Sequence, residues 1–234
     1  MEIIASRCTG CGACTAYCPV RAIAVVRGTA RVDQSRCVEC DTCRRVSVCP
    51  ANALVQPELE WPRLLRARFS NPLLVHPSTG VWGRGTTEVK TADVNDRFPL
   101  GRVGIAAEVG RPGVSAGFDD VEEITSELAG MVEFVRRNPV TELIDPDTGL
   151  LRDDAVRGER VLSAIVEFTV PQRQAVEALD RVRRLAESIQ TVVTVGLIAV
   201  GRDGIASLRE QLKASGFAPR PNGKVNVGLG RPSR

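Results

Sequence analysis

Eight cysteines, all between Cys8 and Cys49, constrain this 234-residue chain more than any other feature of its sequence. No cysteine follows Cys49. A secreted domain held together by disulfides would spread its cysteines over the whole fold. The clustering therefore indicates that these thiols act together in the first part of the chain. The long cysteine-free remainder is large enough to form a hydrophobic core of its own.

The cysteines form two runs of the same design. The first run, Cys8 to Cys18, has the spacing C-x2-C-x2-C-x3-C and is followed by Pro19. The second run, Cys37 to Cys49, repeats this spacing with two extra residues before its last cysteine, and Pro50 follows it. An internal repeat of this size predicts two stacked half-units, each incomplete alone.

This spacing suits a cubane iron–sulfur cluster, which has four iron corners that each need a thiolate. Three cysteines spaced by two residues let one tight loop reach three corners, and Gly10, Gly12 and Ala13 let backbone N–H groups approach the sulfurs. The fourth corner is reached from farther along the chain. The alternative is zinc, but zinc ribbons use only two C-x2-C pairs. The C-x3-C-x2-C spacing of S-adenosylmethionine radical enzymes is absent.

Residues 1–57 resemble a bacterial-type ferredoxin that carries two [4Fe–4S] clusters. In such ferredoxins the fourth cysteine of each run ligates the other cluster. The resemblance implies two ligand sets: Cys8, Cys11, Cys14 and Cys49 for one cluster, and Cys37, Cys40, Cys43 and Cys18 for the other. It also implies a hairpin of two short strands around Arg27-Gly28-Thr29.

One departure from that family lies between Cys43 and Cys49, which are separated by five residues where the family has three. Two readings remain open. The extra residues form a slightly longer turn that leaves ligation unchanged, or the cluster bound by Cys49 has a looser site and a shifted potential.

Charge and hydropathy exclude several classes of protein. A formal net charge of +3 is too weak to indicate nucleic-acid binding. The longest apolar stretch, Thr191 to Val200, is about half the length of a membrane span, and Met1 to Ser6 does not resemble a targeting segment. Eight clustered thiols fit a reducing compartment, so we expect a cytoplasmic protein.

Residues 58–100 are rich in proline and glycine and predict a linker or wrapping segment. Within it, Arg63, Arg66 and Arg68 predict a short basic helix that lies against the cysteine-rich domain. His76, the only histidine, is expected to be an ordinary loop residue.

Residues 101–234 alternate between strand and helix patterns, which predicts an α+β protein whose second domain is an α/β sandwich such as a ferredoxin-like plait. Val103 to Val109 predicts a half-buried strand, and Asp119 or Asp120 is the expected cap of the following helix. A second strand and a helix after Pro171 follow. Thr191 to Val200 predicts a central strand of the sheet, Gly216 ends a short helix, and Val225 to Leu229 predicts a last strand.

These features favour an electron-transfer protein over a catalyst that acts by itself: a ferredoxin-type subunit that delivers low-potential electrons to a partner oxidoreductase. The larger domain would dock the partner. Two alternatives stay open, a redox-linked regulatory protein that senses a small molecule, and an electron-donating helper in sulfur or cofactor insertion. No catalytic constellation is apparent in the sequence.

Overall fold

The computed structural model describes residues 1–86, 98–199 and 202–219. Its strands are β1 (Glu2–Ile3), β2 (Ile23–Val26), β3 (Thr29–Val32), β4 (Leu54–Val55), β5 (Arg102–Val109), β6 (Ala116–Gly117), β7 (Glu133–Phe134), β8 (Arg160–Val161), β9 (Ala164–Pro171) and β10 (Val193–Ala199). Its α-helices are α1 (Thr42–Arg45), α2 (Arg63–Ser70), α3 (Phe118–Leu128), α4 (Pro139–Leu143), α5 (Ala175–Ser188) and α6 (Arg202–Ala214). No helix among these residues is long and apolar enough to span a membrane.

The cysteine-rich unit is built from two small antiparallel pairs, β1 with β4 and β2 with β3. The predicted hairpin is present, with Arg27 and Gly28 both at positive φ in the turn between β2 and β3. Such a turn matches the twist of the flanking strands. The core of this unit contains the cysteines together with a few aliphatic side chains: Met1, Val20, Ile23, Val38 and Leu54.

The second part of the chain contains a four-stranded antiparallel sheet in the order β10-β5-β9-β7. Helix α3 follows β5 and helix α5 follows β9, so each helix connects one pair of strands. Their apolar residues pack against one face of the sheet, where Ile105 and Phe168 lie opposite each other across β5 and β9. The predicted α+β architecture is confirmed at this level.

The opposite face of the sheet is also covered, so β5 is not the half-buried strand that alternation predicts. Phe98 packs with Ala106 and Ile165 on this face. Gly104 leaves room for the Phe98 ring, since a Cβ at that position would overlap it. Phe98, which lies only four residues before β5, therefore covers the side of the strand that its pattern assigns to solvent.

In the described sheet, strand β10 pairs with β5 alone, whereas its apolar sequence predicts a central strand. One other expectation for this region is wrong. Helix α3 begins at Phe118 with Gly117 as its N-cap, so neither Asp119 nor Asp120 is the cap. Asp120 is the third residue of the helix, and its side chain accepts a hydrogen bond from the Gly117 N–H at 3.1 Å. The predicted strand at Val225 to Leu229 lies outside the described residues.

Helix α2 forms where the basic helix is predicted, and it contacts both parts of the protein. Leu65 and Phe69 belong to the larger hydrophobic core, and the Phe69 ring meets the Phe118 ring edge-on at 5.3 Å. Near its C-terminus, the Ser70 hydroxyl accepts a hydrogen bond from the Leu162 N–H at 2.8 Å. Leu162 in turn packs against the core of the cysteine-rich unit.

Candidate iron–sulfur centre

The first group of thiols surrounds a small cavity in the cysteine-rich unit. Three of its cysteines lie on the loop and the short 3-10 helix (Ala13–Tyr17) of the first run, and the fourth is the last cysteine of the second run. The cavity is lined by these thiols and by small or aliphatic residues: Cys8, Cys11, Cys14, Cys49, Ile3, Thr9, Gly12, Ala13, Ala30, Ala53 and Leu54. This is the first set of four that the resemblance implies.

The second group of thiols is more deeply enclosed. Cys37, Cys40 and Cys43 are all buried, and Cys18 is half-buried. Burial, with added repulsion from the neighbouring Cys40, Cys18 and Cys37 thiolates, raises the pKa of the Cys43 thiol to about 12. These neighbours are the other three members of the second set.

Backbone N–H groups point at the sulfurs of the cysteines that terminate each run. The Ala22 N–H donates to Cys18 Sγ at 3.1 Å, and the Ala53 N–H donates to Cys49 Sγ at 3.3 Å. Each donor lies four residues beyond its acceptor, so the repeat in sequence is also a repeat in geometry. Hydrogen bonds of this kind orient a metal ligand and stabilise its thiolate form.

Differences in burial and hydrogen bonding shift the pKa values of the cysteine thiols in different directions. Burial raises the pKa of the Cys14 and Cys37 thiols, because a thiolate is costly in an apolar environment. The pKa of the exposed Cys11 thiol lies below its ordinary value, chiefly because of a backbone hydrogen bond from Ala13 and a side-chain hydrogen bond from Thr9. The buried thiols therefore ionise most readily when a cationic group lies among them.

The loops of the two runs share an unusual backbone conformation. Gly10 and Gly12 have positive φ in the first loop, and the corresponding residues of the second loop, Glu39 and Asp41, have φ of 55° and 60°. Side chains are rarely accommodated in this conformation. The second loop retains them because both carboxylates are buried and bound to cations.

The carboxylate partners lie on nearby segments of chain. Asp41 binds the Arg44 guanidinium through both of its oxygens, at 2.8 and 2.6 Å. Glu39 binds Arg63 of α2 and the Met1 amino group. Sequence reasoning missed the structural role of Glu39, since a charged residue inside a C-x2-C loop carries no signal of burial.

A buried arginine connects the second cysteine loop to the larger region. Arg66 of α2 donates to the carbonyl oxygens of Gln34 and Cys37, both at 2.8 Å, and forms an ion pair with Glu159. The sequence predicts that this helix lies against the cysteine-rich domain. Burial of its arginine beside a cysteine of the second set is visible only in the structure.

The two extra residues before Cys49 are taken up by a helical turn. The short helix α1 continues to Arg45, and Ser47, at φ 51°, then reverses the chain with its N–H bonded to the Arg44 carbonyl at 3.0 Å. Cys49 still reaches the cavity of the first set.

Four thiols, inward N–H groups and an apolar lining fit a cubane cluster at each position. In the described residues, no three His, Cys, Asp or Glu side chains are close enough together to hold a single metal ion. The fold and the thiol groups thus define the cysteine-rich unit as an iron–sulfur protein of the two-cluster class.

Comparisons with known proteins agree. Residues 1–60 match the family described as "4Fe-4S dicluster domain". Ferredoxin-3 and Ferredoxin-1 of Chlorobaculum tepidum are each 40% identical to the chain over 57 residues, which is 23% of this chain and 92% of each relative. No solved structure is significantly similar to the chain. Through its first 60 residues, the chain belongs to the dicluster ferredoxin family, with two [4Fe–4S] clusters and a role in electron transfer.

Proposed function

We propose that this protein is a ferredoxin-type subunit that passes low-potential electrons to a partner oxidoreductase, and that the region beyond the cluster domain selects the partner. When bound, each cluster accepts and releases one electron between its 2+ and 1+ core states. The observation that carries the proposal is the grouping of all eight cysteines into two sets of four. That grouping leaves no cysteine for thiol catalysis.

The proposed ligand sets are Cys8, Cys11, Cys14 and Cys49 for the first cluster, and Cys37, Cys40, Cys43 and Cys18 for the second. Cys18 and Cys49 cross between the runs, so each run needs the other to complete a site. The Cys43–Cys49 spacing supports unchanged ligation, because the helical turn at Arg45 to Ser47 absorbs the extra length.

The proposed domains are 1–57 for the clusters, 58–100 as a wrapping segment and 101–234 for docking. We assign the last to the ferredoxin-like plait. Along the chain, the strands of the large sheet follow in the order β5, β7, β9 and β10. Across the sheet their order is β10, β5, β9 and β7, which is the order 4-1-3-2 of a ferredoxin-like plait. Helices α3 and α5 pack on a common face, as that fold requires. A reducing cytoplasm is the proposed location, since eight clustered cysteines that ligate iron–sulfur clusters must stay reduced.

Serine variants test the ligand sets in the full chain purified without oxygen. Wild-type protein should contain roughly eight iron and eight acid-labile sulfide per chain. Cys18→Ser and Cys40→Ser should lose the same cluster and leave the same electron paramagnetic resonance signal on reduction. Cys49→Ser should instead resemble Cys11→Ser. If Cys18→Ser instead left the same signal as Cys11→Ser, the crossed ligand assignment would be contradicted. About four iron per chain in the wild type would contradict the presence of two clusters.

Electron transfer is tested by reducing the holoprotein with a low-potential donor and adding an acceptor. Rapid, reversible bleaching of the visible cluster absorbance is expected. A protein that contains both clusters but passes electrons to no acceptor would overturn the proposal.

One observation favours a second candidate, the redox-linked sensor of a small molecule. An apolar cavity of about 340 Å³ lies between α5, β10 and α6, with Leu179, Val182, Leu197 and Phe217 in its lining. A pocket of this size and character suits a small apolar ligand. A rise in the thermal midpoint of the full chain with a panel of apolar metabolites would support this candidate. Filling the pocket with Ala186→Phe should abolish that rise.

A further inference from the structure

The two proposed clusters differ in their access to the surface. All eight cysteines lie among the described residues, and Cys11 of the first set is the only one that is exposed. Cys37, Cys40 and Cys43 of the second set are buried, and Arg66 and Glu39 tie their loop to α2. Electron exchange with another protein requires close approach to a cluster. The exposed cysteine therefore identifies the first cluster as the one that a partner can approach.

The surroundings of Cys11 have the composition of a docking surface. Its loop rests on the tip of the β2–β3 hairpin, where Gly10 touches the backbone of Gly28. Val25 lies beside Gly12 and is 41% exposed. Arg27 occupies the hairpin tip and is exposed. We call Thr9, Cys11, Val25 and Arg27 the Cys11 face.

Exposed arginines flank the segments that form the Cys11 face. Among the described residues, no carboxylate forms an ion pair with Arg7, Arg21 or Arg27, and all three are exposed. Two of the four acidic residues before position 58, Glu39 and Asp41, are buried and already bound to cations. Exposed arginines around an apolar side chain favour a surface that carries carboxylates.

We propose that the Cys11 face docks a partner protein with an acidic surface, and that electrons enter or leave through the first cluster while Arg27 steers the encounter. This inference rests on the proposed electron-transfer function. It adds the sign of the partner's charge and the place of contact. An arginine at the rim of such a contact mainly affects the rate of association and its dependence on salt.

The test uses the reduced full-length holoprotein and two inorganic acceptors of opposite charge, hexacyanoferrate(III) and hexaammineruthenium(III), in stopped-flow experiments. Arg27→Glu should slow oxidation by the anion about threefold to tenfold at low salt and should accelerate oxidation by the cation. Arg27→Gln should lie between the wild type and Arg27→Glu. These differences should largely disappear near 1 M salt, where the Debye length is about 3 Å.

Arg173→Glu is the matched control, because it makes the same charge change at another exposed arginine. Arg173 follows β9 at the end of the sheet opposite the contact between Gly113 and Pro19, where the large region meets the cluster domain. It should leave both rates close to those of the wild type. Equal effects of Arg27→Glu and Arg173→Glu would overturn the Cys11 face as the docking site.

A second measurement does not depend on electron transfer. A fluorescently labelled decaglutamate peptide is titrated with oxidised holoprotein at low salt, and its anisotropy is followed. Arg27→Glu should weaken binding at least threefold, and Arg173→Glu should not. An unchanged affinity in Arg27→Glu would also overturn the proposal. If the wild type exchanges electrons with neither acceptor, the proposed function itself fails, whatever the peptide shows.

Discussion

Replacement of Gly10 by alanine is expected to remove the first cluster, and Gly28 provides a matched control. Both residues have positive φ, 67° and 77°, so alanine costs about 1–2 kcal/mol of backbone strain at either site. A Cβ at Gly28 would meet no atom within 4 Å. A Cβ at Gly10 would lie less than 3.0 Å from the Gly28 carbonyl oxygen and 3.2 Å from its Cα.

The Cβ added at Gly10 is fixed to the backbone of its own loop and would overlap backbone atoms of Gly28, so no side-chain rotation can relieve the overlap. Forcing the loop off the hairpin adds roughly 1–3 kcal/mol, which brings the total for Gly10→Ala to about 2–5 kcal/mol. Gly28→Ala should cost only about 1–2 kcal/mol. The larger loss is a substantial part of the 5–15 kcal/mol that stabilises a typical domain. The loop carrying Cys8, Cys11 and Cys14 would then fail to close on its cavity.

Iron and acid-labile sulfide are measured after anaerobic purification, together with the denaturant midpoint of the full chain. Gly10→Ala should retain roughly four iron per chain and Gly28→Ala roughly eight. The electron paramagnetic resonance signal left in Gly10→Ala should match that of Cys11→Ser. Equal iron contents and midpoints in the two alanine variants would refute the argument, because only the steric overlap distinguishes them.

Two further predictions concern buried charge. Arg66→Met should lower the free energy of unfolding by about 3 kcal/mol, because it leaves Glu159 and the Cys37 carbonyl without their buried partner. In denaturant titrations, the double variant that adds Glu159→Gln should recover part of this loss. Identical midpoints for the single and double variants would contradict the pairing of Arg66 with Glu159. Burial, with a smaller contribution from Arg68, lowers the pKa of His76 from 6.5 to about 4. The unfolded chain therefore binds a proton more readily, and stability should fall by on the order of 3 kcal/mol between about pH 6.5 and pH 4. His76→Gln should lack this component, so parallel pH profiles of unfolding for the variant and the wild type would refute it.

The exposed and buried arginines of this protein have different tasks that the sequence does not distinguish. Arg27 and Arg66 belong to the same basic excess in composition. In the structure, one is at a hairpin tip and the other donates to carbonyl groups inside the protein. The net charge of the sequence thus shows an excess of arginine, but it does not show which arginines are exposed and which are buried.

Prediction was successful where information is local. The C-x2-C-x2-C spacing requires a tight loop, and Arg27-Gly28 is a turn between two short strand patterns that pair as a hairpin. The helix at Arg63 to Ser70 and the alternating strands at Val103 and Ala164 were also recognisable, because side-chain periodicity records which residues face a core.

Prediction is less complete where several segments meet. The apolar run at Thr191 to Val200 predicts a central strand; in the described part of the sheet it pairs with β5 alone, and the strand predicted at Val225 to Leu229 lies outside the described residues. Alternation within β5 predicts an exposed second face, because the pattern does not show that Phe98, five residues before Val103, folds back over that face. Nothing in the sequence indicates the two-residue strand β7, since so short a segment shows no periodicity.

The sequence alone determined the cofactor and the class of the first 60 residues, because the short, regular spacing of the cysteines is the ligand pattern that a cubane cluster requires. The tertiary structure decided which thiols are exposed and which charges are buried. It also decided that the second cluster loop is tied to Arg66. Those properties depend on contacts between residues far apart in sequence, such as Cys37 with Arg66 and Arg66 with Glu159. Burial and electrostatics belong to the packed molecule, so only its folding assigns them.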